Sequence, residues 1–264
     1  MNAAKLNEAM DYIQANSGGP GAAESVVVRH GYLIWKGSQA DTQHSSWSCS
    51  KSFASTVLGL LIEDDRCTLD TRAANFLPKI ADRYPAYADI TLRHFATMTS
   101  GYDGVGGGYA DKNMDGSSTW SDPAPPLFAP GSAFSYWDDA QSQFGHVLTL
   151  AAGEELGRYF KRRIADPIGM TNWHWGTHAS ADGRGIYGFN CWVNGIKPDG
   201  KRPWPSAPPR TFLARGFNNN VCFVVLEWDL VLVRIGTASE PGTRFDAFWD
   251  TVFTKLAPGI DSRR

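Results

Sequence analysis

Ser48-Cys49-Ser50-Lys51 sets a hydroxyl and an amine three residues apart, directly ahead of the apolar run Phe53, Val57, Leu58, Leu61. Positions i and i+3 of a helix share one face, so a helix beginning near Ser48 would bring the two groups together at its N-terminus. Free N–H groups and partial positive charge there disfavour an ammonium ion and offer a donor to an oxyanion. A lysine acting as base near neutrality must lose about 3 pKa units, roughly 4 kcal/mol, which burial and a cationic neighbourhood can supply. That is the chemistry of an activated nucleophile. The structural alternative is that Ser48 or Ser50 caps the helix while Lys51 snorkels outward. With nine lysines and twenty serines in 264 residues, chance alone supplies roughly 0.7 such tetrapeptides, and the motif by itself does not choose.

Other patterns fail sooner. Gly104-Val-Gly106-Gly-Gly108 lacks the Gly-Lys-Ser/Thr of a phosphate loop and reads as a flexible loop. His174-Trp-Gly-Thr-His178 has helical ligand spacing, but its Trp-Gly core and missing glutamate argue against a metal. No Gly-x-Ser-x-Gly elbow occurs. Cys49, Cys67, Cys191 and Cys222 form no Cys-x-x-Cys pair and read as free thiols.

Composition narrows the class. The chain is long enough for one large domain or two intertwined subdomains, with 42% hydrophobic residues and a net charge of -2. The nearest basic block is Lys161-Arg162-Arg163, too small for a nucleic-acid footprint. Apolar stretches such as Val221 to Leu226 are far shorter than a membrane span. The N-terminus shows no basic region followed by an apolar core. With the free thiols this points to a cytoplasmic chain, or to an exported one whose signal peptide has been removed.

Positioning elements follow from periodicity. Leu6, Met10 and Ile13 form a helix stopped by Gly18-Gly19. Ser25 to Arg29 and Tyr32 to Lys36 read as strands joined at His30-Gly31; Val221 to Glu227 and Leu230 to Ile235 as strands joined at Trp228-Asp229; Thr211 to Arg215 as a fifth strand. Helices are expected near 53–61, Leu92 to Met98, Asp139 to Ala151, Glu154 to Ile164 and Arg244 to Leu256, with a long Gly/Pro/Ser-rich loop from Ser100 to Gly131. The expected fold is α+β, a mixed α/β architecture: an antiparallel sheet flanked by the terminal helices, with an inserted helical region. Residues 1–46 and 187–264 would form the sheet subdomain, and 47–186 the helical one carrying Ser48.

The stretch "WSCSKSFASTVLGLLIEDDRCTLDTRAANFLP" resembles the serine β-lactamase and penicillin-binding-protein superfamily, in particular its class C-like branch of esterases and amide hydrolases. "ITLRHFATMTSGYD", "FAPGSAFSYWDD", "RRIADPIGMTNWHWG" and "VVLEWDLVLVRIG" resemble its later blocks in the same order. The resemblance implies a β-lactamase/transpeptidase-like fold and an acyl-serine mechanism on a small ester or amide, with no metal or cofactor. It implies Ser48 as nucleophile, Lys51 as its base and Tyr136 as the proton-relaying phenol. Tyr-x-Asp recurs at Tyr87 and Tyr109; Pro130-Gly131 and the family block select Tyr136.

Three departures qualify this. Many relatives carry Tyr-x-Asn where this chain has Tyr136-Trp137-Asp138, and a carboxylate beside Lys51 would stabilise the ammonium. Weak or absent β-lactam hydrolysis is expected. The third motif, Lys-Thr-Gly or His-x-Gly in relatives, matches Ala214-Arg215-Gly216; its oxyanion donor would be the N–H of Phe217, paired with that of Ser48. Arg215 offers a charge to a substrate carboxylate or is a salt-bridged surface residue, and "FNNN" is expected to line the cleft. Trp47 and Trp137 would suit an apolar substrate group. Third, relatives carry a longer insert where this chain runs through Gly185-Ile186, which predicts a more open site. A catalytically impaired binding scaffold is the rival reading; a true β-lactamase or DD-peptidase is the third.

Overall fold

The computed structural model describes residues 1–105, 120–171, 187–236 and 245–260. In chain order the elements are α1 (Ala3–Asn16), β1 (Ser25–Arg29), β2 (Tyr32–Lys36), α2 (Cys49–Glu63), α3 (Leu92–Ala96), α4 (Asp138–Ala152), α5 (Leu156–Phe160), β3 (Tyr187–Gly188), β4 (Cys191–Val193), β5 (Phe212–Gly216), β6 (Asn220–Val225), β7 (Leu230–Arg234) and α6 (Phe245–Leu256). Among the described residues one compact unit comprises 1–49, 187, 191–236 and 245–260; a second comprises 50–105, 120–171 and 188–190. The division falls inside α2, between Cys49 and Ser50.

The first unit is built on a seven-stranded sheet of order β2-β1-β7-β6-β5-β4-β3. Register places Val27, Leu232, Phe223 and Leu213 in one row across four strands, and all four are fully buried. They share a face because paired residues point the same way. Phe223 meets Trp249 and Phe253 of α6 at ring-centroid distances of 5.1 and 5.0 Å. Phe248 of the same helix meets Tyr12 of α1 at 5.4 Å. Burying each of these large side chains contributes about 1.5–3 kcal/mol, which fixes the terminal helices on that face.

The second unit is helical. Ala54, Val57, Leu58 and Leu61 of α2 and Phe144, Val147, Leu148 and Ala151 of α4 recur at i, i+3, i+4, i+7 and share one core with Leu92, Phe95, Tyr159 and Phe160. Phe53 lies at the rim of that stripe, 37% exposed, with its ring edge-on to Phe160 at 5.4 Å.

Several boundaries differ from the sequence reading. The strand expected to reach Glu227, β6, ends at Val225, because Leu226–Trp228 turns as a 3-10 helix and Asp229 takes a left-handed φ of 45°. The helix expected from Glu154 to Ile164 is α5 followed by a π turn at Lys161–Ala165. The described ends of the supposed loop pair with one another: Val105 N–H donates to Asp122 O, Ala124 N–H to Asp103 O and Leu127 N–H to Gly101 O. Residues 106–108, His174, His178, the Gly185-Ile186 junction and Arg244 lie outside the described residues.

Candidate active site

Ser48 is the residue immediately before α2, and Lys51 lies in the helix's first turn. Both are buried, Ser48 to 7% and Lys51 to 8% exposure. The lysine does not snorkel outward. Its Nζ lies 3.1 Å from Asp138 Oδ1, an ion pair with both side chains under 10% exposed, and 5.2 Å from the centre of the Tyr136 ring, within cation–π range. Asp138 opens α4, where a negative charge also suits the helix dipole.

Backbone pairing delivers Tyr136 to this point. Gly131 N–H donates to Thr99 O at 2.8 Å and Ser135 N–H to Met98 O at 3.0 Å, fixing the strand-like stretch that precedes the tyrosine. Trp137, the cap residue of α4, donates its indole N–H to Asp103 Oδ1 at 2.6 Å, and Gly104 N–H donates to the same oxygen at 2.9 Å. Burial pushes the Asp103 carboxyl above the usual range, while these two N–H donors pull it back. Trp137 is thus anchored through its polar edge.

Asn190 was invisible to motif reasoning. Its side-chain amide donates to Lys51 O at 3.0 Å, its N–H donates to Ala96 O at 3.0 Å, and its carbonyl accepts from Ser52 Oγ at 2.6 Å. Phe189 and Asn190 have φ of 51° and 57°, a two-residue turn into β4 that the Asn announces. Asp103 carried no signal beyond lying inside the Ser100 to Gly131 loop.

In the first unit, the segment ahead of Ser48 meets the end of β5. A Cβ placed on Gly216 would lie 2.3 Å from Ser46 O and 3.2 Å from Ser48 N. Only glycine permits that approach. Trp47 holds a left-handed φ of 50°, a costly region for a bulky residue, and its ring meets Phe217 at 5.3 Å and 67°. Phe217 is 58% exposed.

Arg215 stacks on two aromatics, 3.7 Å from the Phe245 ring centre and 5.8 Å from that of Trp192. The asparagines after Phe217 correct the sequence reading. Asn218 and Asn219, at φ of 62° and 57°, form the β5–β6 turn. Asn219 and Asn220 are fully buried: Asn219 Oδ1 accepts from Trp249 Nε1 at 3.0 Å, and the Asn220 side chain links Ser45 O at 2.9 Å to Gly236 N–H at 2.7 Å. Being buried, Asn219 and Asn220 belong to the scaffold and do not line a cleft.

All four cysteines are free. Burial raises the Cys222 thiol to about 11, with Cys191 adding to the rise, which makes it a poor nucleophile at neutral pH. Among the described residues no group of three or more His, Cys, Asp or Glu side chains is arranged to hold a metal, and no helix is long and apolar enough to cross a membrane.

The fold is similar to that of D-alanine carboxypeptidase AmpC from Burkholderia cenocepacia, with a TM-score of 0.65 at 13% identity, covering 98% of this chain and 100% of that one. It is similar to EstA from Arthrobacter nitroguajacolicus Rue61a, TM-score 0.65 at 16% identity, covering 90% and 92%. A beta-lactamase from Mycobacterium bovis gives 0.63 at 18% identity, covering 89% and 94%. At these identities the likeness is one of fold. Residues 6–210, which include Ser48, Lys51, Tyr136 and Asp138, match the family described as Beta-lactamase. By a match over more than half its length, the chain belongs to the beta-lactamase family.

Proposed function

We propose that this protein is a serine hydrolase that cleaves a small ester or amide through an acyl-serine intermediate. The observation that carries the reading is Lys51, buried in the first turn after Ser48, 3.1 Å from Asp138 and over the Tyr136 ring. A cation held out of water carries a desolvation cost, and buried charges with a specific partner cluster at functional sites. In acylation the Ser48 oxygen bonds to the substrate carbonyl carbon, the bond to the alcohol or amine breaks, and the Ser48 proton goes to the leaving group through Lys51 and Tyr136. In deacylation a water oxygen bonds to the acyl carbon, the Ser48 ester bond breaks and a proton of that water passes to the Ser48 oxygen. The N–H groups of Ser48 and Phe217 serve as donors to the oxyanion. The Trp47–Phe217 pair, with Phe217 largely exposed, favours an apolar acyl or alcohol group.

One observation favours a second reading, a binding scaffold with little turnover: Asp138 lies 3.1 Å from Lys51 Nζ, and a carboxylate beside a lysine favours the ammonium over the free base. Burst kinetics with p-nitrophenyl acetate, together with a fluorophosphonate probe, separate the two. A hydrolase gives a stoichiometric burst and labels Ser48, and Ser48→Ala reduces both by more than about 10³-fold. Equal labelling of the wild type and Ser48→Ala, with no burst, rejects the hydrolase.

A further inference from the structure

A fully buried ionic cluster of the first unit lies outside the residues discussed so far. Glu24, whose side chain is 1% exposed, ends the 3-10 turn that leads into β1. Its Oε2 is 3.1 Å from Arg234 Nη2, and its Oε1 is 3.1 Å from His44 Nε2. The chain makes room for this carboxylate with a glycine: a Cβ on Gly236 would lie 1.6 Å from Oε2. A buried ion pair is weak evidence for stability, since well-packed apolar groups of similar size do as well or better. What the charges touch is therefore informative.

Arg234, fully buried, uses its other terminal nitrogen on the carbonyls of Asn218 at 2.8 Å and Asn219 at 3.2 Å. Those are the two residues of the turn that follows Phe217. His44 stands four residues before Ser48, and the intervening segment is tied to the same hairpin by Asn220, whose amide donates to Ser45 O and whose carbonyl lies 3.7 Å from Cys49 Sγ. One carboxylate thus anchors both backbone segments that meet at Gly216. Close approach there leaves no slack, and a displacement of about 1 Å in a catalytic donor costs about 10²-fold.

We propose that Glu24, with His44 and Arg234, is a positioning device that holds the Ser48 segment and the Phe217 turn in register, and so aligns the two oxyanion donors. The inference rests on the serine-hydrolase reading above. All three are positioning residues in this proposal, acting through the backbone they hold.

The test compares His44→Leu, which removes the polar contact with Glu24, and His44→Gln, which keeps a polar side chain facing it. Two readouts are taken: the acylation rate constant with p-nitrophenyl acetate, and amide hydrogen exchange resolved by residue. In His44→Leu, acylation slows by about 10- to 100-fold with KM changed less than about twofold. Exchange at residues 218–220, which His44 does not touch, quickens about tenfold. His44→Gln restores both to within about threefold. Glu24→Gln produces the same pair of changes and carries the test if His44→Leu does not fold. Faster exchange confined to residues 44–49, or unaltered acylation in a folded His44→Leu, overturns the proposal. A wild-type protein that never acylates at Ser48 rejects the hydrolase reading instead, and the exchange data then decide whether the two segments are coupled.

Discussion

The two units hold their candidate groups by different means. In the second, Lys51 and Asp138 are set by side chains, through their ion pair and the indole of the neighbouring Trp137 on Asp103, while Tyr136 arrives by backbone pairing and meets Lys51 with its ring face. In the first, Ser48, Gly216 and Phe217 are set by the backbone, through a glycine approach and a turn whose carbonyls are gripped from behind by Arg234. A reaction assigned to both units would draw its proton handling from groups that titrate and its oxyanion donors from groups that do not. The first unit should therefore tolerate side-chain change at positions such as Ala214 and fail at Gly216, while the second should respond to charge.

The largest effect is expected from Gly216→Val. The added side chain meets backbone rather than a movable group, so destabilisation of about 4 kcal/mol is expected in urea unfolding, with ester turnover lost. A variant of wild-type stability would mean that the first unit does not depend on that approach.

Next is Asp138→Asn. Breaking a buried ion pair costs about 3 kcal/mol when the remaining charge is stranded, and Lys51 becomes easier to deprotonate. Stability at pH 7 should fall while the rise in turnover with pH moves toward acid. An unmoved pH profile would remove Asp138 from the proton chemistry and bring the two units closer in kind.

The smallest effect is on pH dependence. His94 Nδ1 accepts from Thr91 N–H in a capping box at the start of α3, and burial lowers the imidazole pKa. The folded state thus prefers the neutral ring. Its contribution is complete above the ordinary value of about 6.5 and is lost as pH falls through the lowered folded value. His94→Gln keeps a capping side chain without a titrating group, so its unfolding midpoint should fall less than the wild type's between pH 7 and pH 5. Equal slopes would show that this cap does not titrate with the fold.

The same contrast explains what could be read from the sequence. Strands β1 and β2 match the apolar runs because short stretches rich in Val, Leu and Ile joined by a His-Gly turn are local signals. The helical stripe of α2 is equally local. Strands β3 and β4 were missed, since runs of two and three residues carry no period. The 3-10 turns between Ala73 and Asp89 have no repeating face to betray them. As candidates, Ser48, Lys51 and Tyr136 were nameable from motif and resemblance. Asn190 and Glu24 were not, because each acts through partners at least 20 positions away in sequence. The asparagine run looked like a ligand surface, and only pairing with Trp249 and Arg234 reveals it as scaffolding.

Trp47 sits in the left-handed backbone region one bond from the serine, a placement that costs an L-residue about 1–3 kcal/mol. Laboratory selection for heat resistance alone would be drawn to glycine at that position. The resulting protein would be harder to melt, with its hydroxyl less firmly aimed.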